Sequence, residues 1–132
     1  MSKSTLIRNA HVVNEGAVTI SDVLIVGDRI AKIGKGLDAE GAEVVDATGF
    51  WLMPGIIDDQ VHFREPGLTH KADLSTESKA AAAGGVTSFM EMPNTVPQAL
   101  TQQLLQDKYE RAAEVSTVNY SFFMGTITWM RF

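Results

Sequence analysis

The sequence of 132 residues contains no cysteine, so disulfide bonds and thiolate metal sites are excluded and any metal would need nitrogen and oxygen ligands. It also lacks a basic excess: its formal net charge of −5 argues against nucleic acid or an anionic membrane as the main partner. No apolar run approaches the roughly 18 residues of a membrane span, and the first residues lack the pattern of a secretory signal. We therefore expect a cytoplasmic protein without nucleic-acid or membrane partners.

The sequence does contain enough apolar material for a folded core, since 45% of its residues are hydrophobic and 20% are charged. Residues 1–53 carry short Val- and Ile-rich segments separated by Gly and Asp, which predicts a small antiparallel sheet or half of a β-sandwich. From residue 54 the pattern changes to strand, helix, strand, helix, strand. The first of these helices has Asp73 or Ser75 available as its N-cap, and Gly84 or Gly85 is predicted to end it. This order is typical of βα units around a parallel sheet, so residues 54–132 are assigned to a second, α/β region.

The most informative stretch is PGIIDDQVHFREPG, residues 54–67. Side chains two apart in a strand point the same way, so a strand here would place four polar residues on one face: Asp58, Gln60, His62 and Arg64. A type II turn is predicted after the strand, because Pro66 presets its φ and Gly67 accepts a positive φ. The turn would hold Arg64 at the mouth of a site formed by these polar side chains. A planar guanidinium there is suited to binding a substrate carboxylate.

This stretch and the later segment AAAAGGVTSFMEMPNT together resemble the amidohydrolase superfamily, and specifically dihydroorotases of the longer bacterial type. The REPG and MPNT motifs carry the distinction from the related allantoinases and hydantoinases. The resemblance spans roughly residues 5–125. It implies an α/β fold, the N-terminal part of a metal-dependent hydrolase (β/α)8 barrel preceded by a small β-sandwich segment, with one or two zinc ions as the cofactor.

Carried over by position, the resemblance makes His62 a metal ligand, Arg64 a contact for the substrate carboxylate and Asn94 a second substrate contact. Gln60 departs from the family pattern, which usually has the first metal-binding histidine there. An amide oxygen is a weaker zinc ligand than an imidazole. Either one metal is bound loosely at Gln60, or His62 and later residues hold it without help, or the site holds no metal. Asp58 is a further acidic candidate beside the site.

The resemblance implies the reversible conversion of N-carbamoyl-L-aspartate to L-dihydroorotate in pyrimidine biosynthesis. The expected partner is this small-molecule substrate, and a homodimer is compatible with the resemblance. We expect no catalytic residue in this chain, since the family's proton-shuttling carboxylate comes from a later strand. Two alternatives stay open. One is a non-catalytic dihydroorotase-like module that serves assembly, which Gln60 favours. The other is a sister cyclic amidase that acts on allantoin or hydantoin rings.

The length of the chain leads to a further expectation. A (β/α)8 barrel takes roughly 250 residues, whereas about eighty follow Pro54. We therefore expect an incomplete barrel, the amino-terminal third of a longer enzyme, inactive by itself. The final TITWMRF is unusually apolar for a loop, so a frameshift near Thr126 is also expected.

Overall fold

The structure is a computed structural model that describes residues 3–126. Its elements are, in chain order, β1 (Ser4–Asn14), β2 (Ala17–Val26), β3 (Arg29–Gly34), β4 (Glu43–Asp46), β5 (Trp51–Leu52), β6 (Ile56–Val61), α1 (Leu74–Ala83), β7 (Val86–Glu91), α2 (Gln102–Val115) and β8 (Asn119–Phe122). The chain divides after Pro54 into two compact units, and each has its own sheet.

The first unit is a five-stranded mixed sheet in the order β3-β2-β1-β4, with β5 also paired to β1. β1, β2 and β3 are antiparallel neighbours, whereas β4 and β5 run parallel to β1. The expected antiparallel sheet is therefore wrong for two strands. The reason lies in the connection: between β1 and β4 the chain passes through β2, β3 and residues 35–42, and a connection of that length allows parallel pairing where a tight hairpin does not.

A small apolar cluster and one buried carboxylate stabilise this first unit. The cluster contains Ala10, Val12, Val23 and Ala47. Asp22 accepts hydrogen bonds from the backbone N–H groups of Asn9 and Leu37, each at 2.9 Å. These bonds lower the pKa of the Asp22 carboxyl, because they favour its charged form. The first of these bonds is donated by Asn9, which has a φ of 58° and lies where the β1–β2 register shifts.

The second unit is a parallel sheet in the order β6-β7-β8, connected by α1 and α2. The expected βα units are confirmed. One cluster forms the core: Phe63, Leu74, Phe89, Ala112 and Phe122. α1 begins as predicted, because the Asp73 side chain accepts a hydrogen bond from the Thr76 N–H at 2.8 Å, and it ends at Gly84.

Three parallel strands joined by two helices are the arrangement expected for the first βα units of a (β/α)8 barrel. Within residues 3–126 neither helix has the length and apolar character that a membrane crossing needs. The apolar tail that led to the frameshift expectation lies, apart from Thr126, outside the described residues.

Candidate active site

The predicted site residues follow the carboxyl ends of two neighbouring parallel strands. His62 and Arg64 come directly after β6, and Asn94 comes three residues after β7. β6 ends at Val61, which pairs with Glu91, and the β6–β7 register shifts between Asp58 and Val61. The expectation of one continuous row of polar side chains on a single strand is therefore wrong, because the ladder stops before His62. The site residues lie on the loops, at the edge where active sites of parallel α/β folds are found.

The two loops bring His62 and Asn94 together. The His62 Nδ1 atom lies 3.1 Å from the Asn94 Oδ1 atom. An amide oxygen can only accept, so the imidazole Nδ1–H donates and the Nε2 lone pair is left available. Metal-binding histidines commonly donate their second ring N–H to an oxygen in this way. The contact gives Asn94 an orienting role toward His62 that the sequence did not predict, and it leaves the Asn94 Nδ2 group as a donor.

Arg64 occupies the left-handed region of backbone space, with a φ of 71°. That conformation costs a non-glycine residue about 1–2 kcal/mol. Its N–H donates to Glu91 Oε1 at 2.8 Å, and its carbonyl accepts from the Leu68 N–H at 3.1 Å. The second bond closes a turn of five residues, one longer than the predicted type II turn. Gly67 has the positive φ that was predicted, 85°.

Gln60 and Asp58 are both exposed on β6. The Asp58 carboxylate accepts a hydrogen bond from the Gln60 backbone N–H at 3.1 Å, so it shapes the strand beside the site. Within residues 3–126, no group of three or more His, Asp or Glu side chains is arranged to hold a metal ion. His62 and Gln60 offer one imidazole nitrogen and one amide oxygen, two of the four ligands that zinc takes.

Glu65 anchors the turn that carries Arg64. The side chain is buried; its Oε2 accepts from the Leu74 N–H at 2.9 Å, and its Oε1 accepts from Arg111 Nε at 2.7 Å. One carboxylate thus joins the turn to the first turn of α1 and to the surface of α2. The Glu65 carboxylate raises the pKa of Arg111. Sequence reasoning missed Glu65, because it lies in the turn after β6, where no strand periodicity indicates which side chains point inward.

A buried ion pair lies behind the turn and was also missed. Glu91 is fully buried and Lys108 nearly so, and Glu91 Oε2 lies 2.8 Å from Lys108 Nζ. Burial raises the pKa of the Glu91 carboxyl, while the Lys108 ammonium and the Arg64 N–H oppose that rise. The ammonium also lies 4.8 Å from the Phe122 ring centroid. Removing one partner of such a pair costs about 3–5 kcal/mol, so each charge requires the other.

The turn after β6 and the loop after β7 are in direct contact. The Val96 N–H donates to the Pro66 carbonyl at 3.0 Å. Gly67 lies so close to the Val96 backbone that a Cβ atom would stand 2.8 Å from the Val96 carbonyl carbon. Thr95, the last residue of the MPNT motif, is buried and its hydroxyl donates to the Pro97 carbonyl at 2.8 Å. These contacts define the spacing between the residues of the site.

Comparisons with known proteins agree with this architecture. The family model described as "Dihydro-orotase-like" matches residues 49–128. The "Dihydroorotase" of Streptococcus thermophilus (strain CNRZ 1066) is 42% identical over an alignment 132 residues long, gaps included; the match covers 93% of this chain and 31% of that protein. The "Dihydroorotase" of Bacillus cytotoxicus is 41% identical over 115 residues, covering 86% of this chain and 27% of that protein.

Among solved structures, the L-hydantoinase (dihydropyrimidinase) from Arthrobacter aurescens has a TM-score of 0.88 at 28% identity, covering 95% of this chain and 28% of its own. A D-hydantoinase structure has a TM-score of 0.82 at 29% identity, covering 96% of this chain and 28% of its own. The chain spans about a third of the length of the curated relatives it matches. On the family match and on relatives named dihydroorotase, the chain belongs to the dihydroorotase-like family of cyclic amidohydrolases.

Proposed function

We propose that this chain forms the carboxylate-binding and part of the metal-binding side of a dihydroorotase, which interconverts N-carbamoyl-L-aspartate and L-dihydroorotate. The observation that carries the proposal is the pairing of His62 with Asn94 at 3.1 Å, beside a turn in which Arg64 is held by a buried carboxylate. The pairing supports His62 as a zinc ligand through Nε2. Gln60 is the second, weaker ligand in this proposal.

Arg64 is proposed to bind the carboxylate that dihydroorotate and carbamoyl aspartate share. A guanidinium can give two parallel N–H bonds to a carboxylate, which fixes both position and orientation. The Asn94 Nδ2 group can donate to a second oxygen of the same substrate. When zinc is bound, it supplies polarisation of the ring amide carbonyl and a water of lowered pKa. The described residues themselves bind and orient the substrate, and the proton-transferring group is not among them.

The activity can be tested in a chimera in which this chain replaces the matching segment of the Streptococcus thermophilus enzyme. We expect ring opening of dihydroorotate, measured by loss of ultraviolet absorbance, and bound zinc, measured by metal analysis. His62→Ala should lower both, because it removes the imidazole ligand, whereas Gln60→His should raise the affinity for zinc. His70→Ala, at an exposed loop histidine, is the matched control and should leave both unchanged. A folded chimera without zinc or activity would favour the non-catalytic module instead.

A sister cyclic amidase remains the second candidate function, because the solved structures similar to this chain include hydantoinases. Arg64→Lys in the chimera separates the two. It keeps the positive charge but removes the planar fork, so KM for dihydroorotate should rise about tenfold or more. Hydantoin lacks the carboxylate, so its hydrolysis should not respond to the change. Faster turnover of hydantoin than of dihydroorotate by the unaltered chimera would favour the sister amidase.

A further inference from the structure

We propose that the buried Glu91–Lys108 pair positions Arg64, and so determines how well the site binds a substrate that carries a carboxylate. Both members are positioning residues, since they act through Arg64 and not on the substrate. The inference rests on the proposed role of Arg64 as the carboxylate contact. It concerns a charged pair whose members lie outside the REPG and MPNT motifs that identify the family.

The contact between the pair and Arg64 is direct. Glu91 is the last residue of β7, and its side chain has no exposed surface. One carboxylate oxygen accepts the Arg64 N–H at 2.8 Å and the other faces Lys108 Nζ at 2.8 Å. The same carboxylate therefore joins a backbone group of the active-site turn to a side chain of α2.

Arg64 needs this support because of its conformation. A φ of 71° is uncommon for a residue with a side chain, and neighbouring structure has to maintain it. Phe63 is buried in the core on one side and Glu65 is buried on the other, so both flanks are anchored. Between them, the hydrogen bond to Glu91 holds the Arg64 backbone. The direction in which the guanidinium leaves the turn follows from that backbone conformation.

Lys108 favours the ionised form of Glu91, which is the stronger acceptor for the Arg64 N–H. A carboxyl group buried alone takes up a proton, and a neutral group makes a weaker hydrogen bond to a backbone N–H. The ammonium at 2.8 Å favours the ionised form. Because Lys108 lies on α2, and because Arg111 on the same helix binds Glu65, the turn is tied to α2 on both sides of Arg64.

Two double variants test the inference without leaving one buried charge alone. Glu91→Leu with Lys108→Met removes the pair and the acceptor for the Arg64 N–H, while preserving apolar volume. Glu91→Gln with Lys108→Met removes the charges but retains an amide oxygen that can accept the same bond. We expect hydrogen–deuterium exchange of the 132-residue chain, read by mass spectrometry, to be at least tenfold faster for the Arg64 amide in the Leu/Met variant. The Gln/Met variant keeps a neutral and therefore weaker acceptor, so its Arg64 amide should exchange about threefold faster than in the parent chain, between the parent and the Leu/Met variant.

Peptides from α1, in the same compact unit as the pair, report whether each variant is folded and should exchange as in the parent chain. In the chimera, the Leu/Met variant should raise KM for dihydroorotate about tenfold, with kcat changed less and hydantoin hydrolysis unchanged. A merely structural pair would alter both substrates alike. An Arg64 amide that exchanges equally in the parent and the Leu/Met variant would overturn the inference. An inactive parent chimera that still shows the exchange difference would overturn the proposed activity and leave the positioning of Arg64 intact.

Discussion

Replacing Gly67 with alanine should separate the two loops of the site. Gly67 has a φ of 85°, and a Cβ atom there would lie 2.7 Å from Val96 Cβ, where ordinary contact is 3.4–4 Å. The Val96 carbonyl oxygen lies closer still, so the loops must move apart by roughly 1 Å or more, and overpacking of this kind costs about 1–3 kcal/mol. The left-handed backbone adds about 1–2 kcal/mol for alanine. We expect a total loss of about 2–5 kcal/mol in the free energy of unfolding by urea.

Gly85→Ala is a matched control for this change. Gly85 lies in the same unit with a φ of 84°, and a Cβ atom there meets nothing within 4 Å. Gly85→Ala therefore measures only the loss of unfolding free energy that comes from the left-handed backbone. Gly67→Ala should lose more, and the difference is the cost of the contact with Val96. In the chimera, a shift of about 1 Å between His62 and Asn94 should lower ring-opening activity by roughly 100-fold for Gly67→Ala. Equal destabilisation by the two substitutions, or full activity of Gly67→Ala, would refute the argument.

Two further predictions concern the cores of the two units. Phe89 is 1% exposed, and its ring centroid lies 4.6 Å from that of Phe63. Phe89→Ala should therefore lower the free energy of unfolding by about 3–5 kcal/mol in urea titrations. The control Phe50→Ala, at a 69% exposed residue, should change it by no more than about 0.5 kcal/mol. A loss equal to that of Phe50→Ala would contradict the assigned core. The folded pKa of Asp22 is lowered, so its stabilisation is present above the unfolded pKa near 4 and is lost as pH falls through the folded value. Asp22→Asn should therefore lower stability at pH 7 and flatten its decline in acid, as followed by urea unfolding at several pH values; an unchanged acid profile would count against the two backbone bonds.

Much of this fold could be predicted from local patterns. The helix from Leu74 starts and ends where its Asp and Gly capping residues suggested, because caps act on the nearest turn of backbone. The alternation of strands and helices after Pro54 correctly predicted the parallel sheet. Each strand–helix–strand crossover is formed by a short continuous segment of the chain, so a local pattern is enough to indicate it. The prediction failed for β4 and β5, whose parallel partner β1 lies some forty residues earlier in the chain. No local pattern specifies such a pairing.

The sequence by itself determined that a strand precedes each of the motifs around His62 and Asn94, and the family to which those motifs belong. Only the tertiary structure decided that these two side chains meet, and that Glu91 and Lys108 are buried together behind Arg64. The reason is physical. A strand or helix follows from interactions a few residues apart, whereas the burial of a charge depends on whether a distant segment brings a partner of opposite sign to within about 3 Å.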